Sequence, residues 1–292
     1  MKSKALIFSI ICLIVSICAC SDKPDQPVEY DHNFADYYAD WSPDGTKLVF
    51  SRVDYAPRNL VGGLYFYNFG DSSLTLLMEH DIFNSPRFSP DGEWLTFSSG
   101  KEIYIIKNNG DSLQQLTSSY NNYEPDWSPD GTKIVYDHRI GDDRGVHIYN
   151  LVTGVDKLTH PYSSNPVWMP DGISIALFAW IDAEMHLIII DTLGNTIKEF
   201  NDPNSYKRTM DVSPDGRFIC FDQQYPSYKR FLNILDVETG VITPLFSFAA
   251  SYPAFSPEGK FLAYTRAEAD DGSLWIMNLE TKERRQITLL NE

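Results

Sequence analysis

The sequence predicts an all-β fold, a six-bladed β-propeller with four antiparallel strands per blade. Two observations carry the prediction: one short motif recurs six times, and each copy opens the same alternation of apolar residues. Trp41-Ser42-Pro43-Asp44-Gly45 returns as Phe88-Ser89-Pro90-Asp91-Gly92, Trp127-Ser128-Pro129-Asp130-Gly131, Trp168-Met169-Pro170-Asp171-Gly172, Val212-Ser213-Pro214-Asp215-Gly216 and Phe255-Ser256-Pro257-Glu258-Gly259. Successive acidic positions lie 47, 39, 41, 44 and 43 residues apart. A period of that size, about 40 to 50 residues, holds the four short strands of one propeller blade.

Each element of the repeat has a local cause. A first strand leads into the motif, where Pro presets φ and Asp-Gly supplies the side-chain acceptor and the permissive backbone of a tight turn. The second strand follows at once. Leu48, Leu95, Ile134, Ile175, Ile219 and Leu262 stand three residues past the glycines, and Phe50, Phe97, Tyr136, Leu177, Phe221 and Tyr264 stand five past. Apolar residues two apart lie on one face of a strand. Third strands are expected at 64–67, 103–106, 146–149, 186–189, 231–235 and 274–277, and fourth strands end near Leu116-Thr117, Leu158-Thr159 and Ile287-Thr288. Each unit runs from innermost to outermost strand, so the ring is expected to close without a strand exchanged between the first and last blades, unless Val28 to His32 adds one. Blades are expected to begin near residues 36, 84, 122, 164, 208 and 251, within a propeller of residues 33–292.

These motifs resemble the TolB-type, WD-like propeller repeats, over roughly residues 33 to 289. TolB proteins serve as periplasmic partners of envelope proteins, a role that the resemblance alone does not transfer to this chain. TolB itself carries an α/β domain before its propeller, and prolyl oligopeptidase-like enzymes add an α/β-hydrolase domain. Neither domain is expected here, since the blades run from near residue 33 to near residue 289, and no Gly-x-Ser-x-Gly elbow occurs, so function must be argued from the site rather than the fold.

The chain opens with Met1-Lys2-Ser3-Lys4 and an apolar run from Ala5 to Ala19, too short for the roughly 20 residues of a membrane-spanning helix. Ile17-Cys18-Ala19-Cys20 resembles a bacterial lipobox. Residues 1–19 are therefore read as a lipoprotein signal peptide, Cys20 as the lipidation site, and residues 20–32 as lipidated cysteine and tether. By that resemblance, Ser21 rather than Asp after the cysteine favours the outer membrane, with the facing side, periplasm or surface, left open. Two or three acyl chains would give lasting membrane attachment. Of the four cysteines only Cys220 would remain as a thiol, so no internal disulfide is expected. Removal of Lys2 and Lys4 takes the formal charge from −16 to −18. That balance excludes nucleic-acid binding, which needs a Lys/Arg surface.

Counting back from the Trp, Phe or Val that opens each motif gives three series on the opposite face. Four before stand Tyr37, Asn84, Tyr123, Ser164, Arg208 and Ser251; three before stand Tyr38, Ser85, Glu124, Asn165, Thr209 and Tyr252. Aromatic rings among Asn, Arg and hydroxyls at a concave mouth suit a peptide or sugar. Tyr37, Tyr38, Asn84, Tyr123, Glu124, Asn165, Arg208 and Tyr252 are the candidate ligand-binding residues; the alternative is that the tyrosines wedge between blades. One before the same position stand Asp40, Arg87, Asp126, Val167, Asp211 and Ala254, three carboxylates on alternate blades around the channel. Asp40, Arg87, Asp126 and Asp211 either hold a cation or water, or pair locally, with Arg87 beside Asp40 or Asp126. The acids of the six turns are read as turn formers. His80, His138 and His160 can reach the mouth, but no ligand spacing joins them, and no cofactor, metal or catalytic residue is expected.

The function that follows is a lipid-anchored envelope propeller that binds a protein, peptide or glycan ligand at its mouth without catalysis. The alternative is a metal-dependent carbohydrate-active enzyme resembling oligogalacturonate lyase.

Overall fold

The computed structural model describes residues 34–54, 61–80, 83–200, 206–224, 229–266 and 272–288. The signal peptide, Cys20 and the tether to residue 32 lie outside the described residues, as do Val28 to His32. The described residues form strands and connections, with no helix among them.

Six four-stranded antiparallel sheets each use four consecutive strands. The first blade holds β1 (Phe34–Trp41), β2 (Lys47–Asp54), β3 (Val61–Asn68) and β4 (Leu74–His80). The second holds β5 (Phe83–Phe88), β6 (Trp94–Ser99), β7 (Glu102–Lys107) and β8 (Gln114–Gln115). The third holds β9 (Asn122–Trp127), β10 (Lys133–His138), β11 (Gly145–Asn150) and β12 (Asp156–Pro161). The fourth holds β13 (Ser163–Trp168), β14 (Ser174–Ile181), β15 (Glu184–Asp191) and β16 (Thr196–Phe200). The fifth holds β17 (Tyr206–Val212), β18 (Phe218–Gln224), β19 (Arg230–Asp236) and β20 (Ile242–Pro244). The sixth holds β21 (Ala250–Phe255), β22 (Phe261–Arg266), β23 (Leu274–Asn278) and β24 (Arg284–Gln286).

The fourth strands of the second, fifth and sixth blades are only two or three residues long. The Thr that ends two of these repeats extends the pairing with its side chain. Ile103 N–H donates to Thr117 Oγ1 at 2.9 Å, and Leu274 N–H donates to Thr288 Oγ1 at 3.0 Å.

The period of two in the second strands decides how blades stack. Leu48 and Phe50 point toward the sixth blade, while Val49 between them points toward the second. Ile134 and Tyr136 face the second blade, and Val135 faces the fourth. Both faces of each sheet are thus covered, giving six apolar layers, one per pair of neighbouring blades. Cys220, buried as a free thiol, packs in the layer between the fifth and sixth blades.

The ring closes by packing between first and last blades, with no exchanged strand among the described residues. Trp41, Leu48, Phe50, Leu274 and Ile276 share one layer, and Trp41 Nε1 donates to the Ala254 carbonyl at 3.1 Å. At the seam Asp36 N–H donates to Gly272 O at 2.7 Å, and Thr265 Oγ1 donates to Asp36 O at 3.0 Å.

One end of the ring carries the six motif turns. In four of them the Ser hydroxyl donates to the Asp carboxylate, as Ser42 does to Asp44 at 2.7 Å, and the motif Gly closes the turn with φ near +70°. These hydrogen bonds hold the carboxyls of Asp44, Asp91 and Asp215 below the usual range. Where Met169 replaces Ser, Ser174 N–H and Oγ bond Asp171 instead.

Candidate functional site

The opposite end is shaped by a repeated irregularity. Every innermost strand loses register once, between Tyr37 and Asp40 in the first blade, at the equivalent place in four others, and one residue earlier, between Lys207 and Met210, in the fifth. Such bulges redirect a side chain out of the pleat. Five bulge residues adopt a left-handed backbone: Tyr38 (φ 56°), Ser85 (50°), Glu124 (51°), Asn165 (51°) and Tyr252 (56°). Together with Thr209 they line one cavity of about 30 Å³ at the channel mouth, space for two or three waters at roughly 10–15 Å³ each. A left-handed non-glycine residue costs about 1–2 kcal/mol, so Asn165→Gly should leave the urea-unfolding free energy unchanged or raise it by up to about 1 kcal/mol. A lowered unfolding free energy would mean the Asn165 side chain supports the fold.

Below the mouth an ionic hub bridges the channel. Arg87 Nη1 donates to Asp40 Oδ1 at 3.2 Å and to Asp211 Oδ1 at 3.1 Å, and Nη2 donates to the Met210 carbonyl at 3.3 Å. These three charged side chains are 12 to 16% exposed. Each acid also clasps the next blade: Phe88 N–H donates to Asp40 Oδ2 at 2.8 Å, Trp168 N–H to Asp126 Oδ2 at 2.8 Å, and Phe255 N–H to Asp211 Oδ2 at 2.7 Å. Burial raises all three carboxyls, Asp126 to about 6 and Asp211 to about 7, against the opposing pull of Arg87. Burial also works against the guanidinium charge of Arg87, and Asp211, Asp40 and Asp126 outweigh it. Local pairing therefore describes Asp40, while Asp211 reaches Arg87 across the channel.

At the mouth, Tyr38 and Tyr252 pack at 4.2 Å between centroids and Tyr37 meets Tyr252 edge-on at 5.6 Å. These tyrosines wedge the first blade against the last and still line the opening. Ser85 Oγ donates to Glu124, whose carboxyl is raised by burial and opposed by Arg139, 3.9 Å away. The Arg139 guanidinium lies 4.3 Å from the Tyr123 ring centre. Asn84 is half-buried and accepts Ser98 Oγ at its carbonyl. Arg208 is exposed on the rim and does not line the central cavity.

Four charged residues of the mouth escape the three series. Arg139 Nε donates to Asp137 Oδ2 at 2.7 Å, and Arg230 Nη1 donates to Asp222 Oδ2 at 3.3 Å while its guanidinium lies 5.0 Å from the Tyr252 ring centre. Burial pushes Asp137 up to about 6 against the pull of Arg139. A sequence signal for the acids exists: after the second-strand aromatics Phe50, Phe97, Tyr136, Phe221 and Tyr264 stand Ser51, Ser98, Asp137, Asp222 and Thr265, whereas Leu177 in the fourth repeat is followed by Phe178.

His138 and His147 meet edge-on at 5.5 Å between ring centres, on the paired strands β10 and β11. His138 is buried against Asn122 Oδ1 at 2.7 Å, His147 and His186 lie on β11 and β15, and the His80 side chain is outside the described residues. Among the described residues no three His, Cys, Asp or Glu side chains gather as a metal-binding group.

With this geometry, comparison with known proteins is informative. The TolB beta propeller domain family matches residues 32–208. The uncharacterized peptidase YuxL of Bacillus subtilis is 30% identical over 213 residues, covering 64% of this chain and 30% of that protein. The Tol-Pal system protein TolB of Francisella tularensis subsp. mediasiatica is 28% identical over 198 residues, covering 64% of this chain and 40% of its own length. An uncharacterized protein of Agrobacterium fabrum is 27% identical over 172 residues, covering 52% of this chain and 57% of its own. The chain thus spans between about a third and somewhat over half of these relatives. Among solved structures, TolB from Acinetobacter baumannii superposes with a TM-score of 0.67 at 20% identity, covering 86% of this chain and 62% of that one. A manganese complex of oligogalacturonate lyase gives 0.58 at 18% identity, covering 87% and 77%. At these identities the structures share the fold alone. With a family match over most of the propeller, six motif turns and six consecutive four-stranded sheets, this chain belongs to the TolB beta propeller domain family.

Proposed function

We propose that the protein is a lipid-anchored propeller of the bacterial envelope that captures a protein partner at its channel-mouth face and performs no chemistry there. One observation carries the reading. The motif end repeats the same turn around the ring, whereas the mouth end uses six bulges to present Tyr38, Ser85, Glu124, Asn165, Thr209 and Tyr252, nearly all different. A rigid frame with individually varied display is suited to recognition. The hub of Arg87, Asp40 and Asp211 bridges the channel beneath, which favours a partner that seats on the face over one that threads the axis. The relatives named as Tol-Pal system proteins support an envelope setting.

Two measurements test it. Cys20→Ala should move the protein from the membrane fraction to the soluble fraction; retention in membranes would refute the anchor. Tyr123→Ala and Asn165→Gly, chosen outside the ionic hub, should reduce envelope proteins copurifying with the chain at least fivefold while leaving the unfolding midpoint within a few degrees. Undiminished copurification by both variants would refute mouth-face capture.

A further inference from the structure

Every strongly exposed aromatic side chain among the described residues lies on the mouth end: Tyr120, Tyr162, Trp180 and Tyr206, with exposures of 51, 54, 50 and 51%. The other exposed apolar residues are aliphatic, and most decorate outer strands and motif-end turns. The four rings come from consecutive blade-entry and hairpin segments between residues 120 and 206, so they form an arc beside the central mouth. Exposed large rings gathered on one face are unusual for a surface that meets only water.

Within the arc the third and fourth blades leave a groove of about 320 Å³, walled by Arg139, Arg144, Tyr162, Ser164 and Trp180. That is at the lower end of volumes that hold a discrete ligand segment, roughly 300–1,000 Å³. Its walls are ordered by the backbone: Trp180 N–H donates to Tyr162 O and Tyr162 N–H to Arg144 O, each at 3.1 Å. The two cations differ. Arg139 is already committed to Asp137 at 2.7 Å. Arg144 is exposed, lies with its guanidinium 4.5 Å from the Tyr162 ring centre, and forms no ion pair among the described residues.

We infer that this groove docks a carboxylate-bearing peptide segment of the partner, with the acid on Arg144 and a neighbouring apolar side chain against Trp180 and Tyr162. A guanidinium stacked on an aromatic ring keeps its in-plane donors free for a bidentate carboxylate. Trp, Tyr and Arg are also the residues that dominate binding energy at protein interfaces. This specifies the partner of the mouth-face reading and rests on it.

The test uses the protein purified as cells process it, labelled with 5-fluorotryptophan, the Trp180 signal being assigned by its loss in Trp180→Phe. The probes are two capped pentapeptides alternating leucine with glutamate or with lysine, and an acidic hexuronate oligosaccharide. The glutamate peptide should shift the Trp180 fluorine resonance saturably, at least tenfold more tightly than the lysine peptide. Arg144→Gln should weaken it at least fivefold, and Arg144→Lys should restore part of the loss, with unfolding midpoints unchanged. Equal binding of the lysine peptide, indifference to Arg144→Gln, or a shift produced by the oligosaccharide and not by the peptide would overturn the inference. Absence of any peptide shift would overturn it too, while retained copurification through Tyr123 and Asn165 would leave mouth-face capture standing.

Discussion

Replacing Arg87 by methionine should lower the unfolding free energy by about 3–5 kcal/mol at pH 8, the usual cost of removing one partner from a buried ionic cluster. The reason is geometric. Arg87 is the cation that Asp40 contacts from the neighbouring blade and Asp211 from across the channel, and each of those acids also fixes a backbone N–H of the next blade. Without it the carboxyls either stay charged and unpaired or take up protons.

The same hub sets a pH signature. Asp126 and Asp211 titrate at about 6 and about 7 in the folded chain, above the roughly 3.9 of an unfolded Asp. The folded state therefore binds more protons than the unfolded one between about pH 4 and 7. Stability contributed by these two groups is full below the unfolded value and is lost as pH rises through the folded values. The turn acids have the opposite sign: Asp44, Asp91 and Asp215 are held low and add stability that disappears as pH falls below the usual Asp range. Urea unfolding across pH 4 to 9 should show a decline toward pH 7, and the Arg87→Met deficit should be smaller at pH 5 than at pH 8. A deficit independent of pH would mean that Arg87 acts through packing alone.

Asp36→Ala should cost a similar amount, about 3–5 kcal/mol. The fully buried Asp36 accepts two bonds from Arg52, Nε to Oδ1 at 2.7 Å and Nη2 to Oδ2 at 2.8 Å, so its loss leaves a nearly buried guanidinium uncompensated. The backbone of the same residue carries the seam with the last blade through Gly272 and Thr265. Adding Arg52→Met should recover most of the loss, since it removes the stranded charge. Failure of the double variant to recover would place the cost in the seam backbone rather than in the ion pair.

The fold was legible because its grammar is local. A Pro-Asp-Gly turn followed by Leu48 and Phe50, or by Ile134 and Tyr136, states a turn, a strand and a buried face within ten residues, and six copies state a ring. The channel was partly legible. The position that holds Asp40, Asp126 and Asp211 is fixed by counting, and so is Arg87, but the pairing of Arg87 with Asp211 joins residues 124 apart across the axis. No local spacing encodes that contact. Arg139 and Arg230 were missed for a different reason. They flank connections between second and third strands, where repeats differ in length and no register carries over from blade to blade. Arg208 shows the converse: its repeat position is that of Tyr37 and Tyr123, yet it remains exposed on the rim. In its blade the register breaks one residue earlier, between Lys207 and Met210, and Thr209 is absent from the left-handed set.

Site-directed photocrosslinking in intact cells addresses the mouth-face claim most directly. A photoreactive residue placed at Arg208, exposed on the mouth rim, should yield adducts of discrete mass with an envelope protein. The same residue placed at Ile173, 69% exposed on a motif-end turn, should not. Adducts from Ile173 alone, or the same adducts from both positions, would contradict recognition by the mouth face.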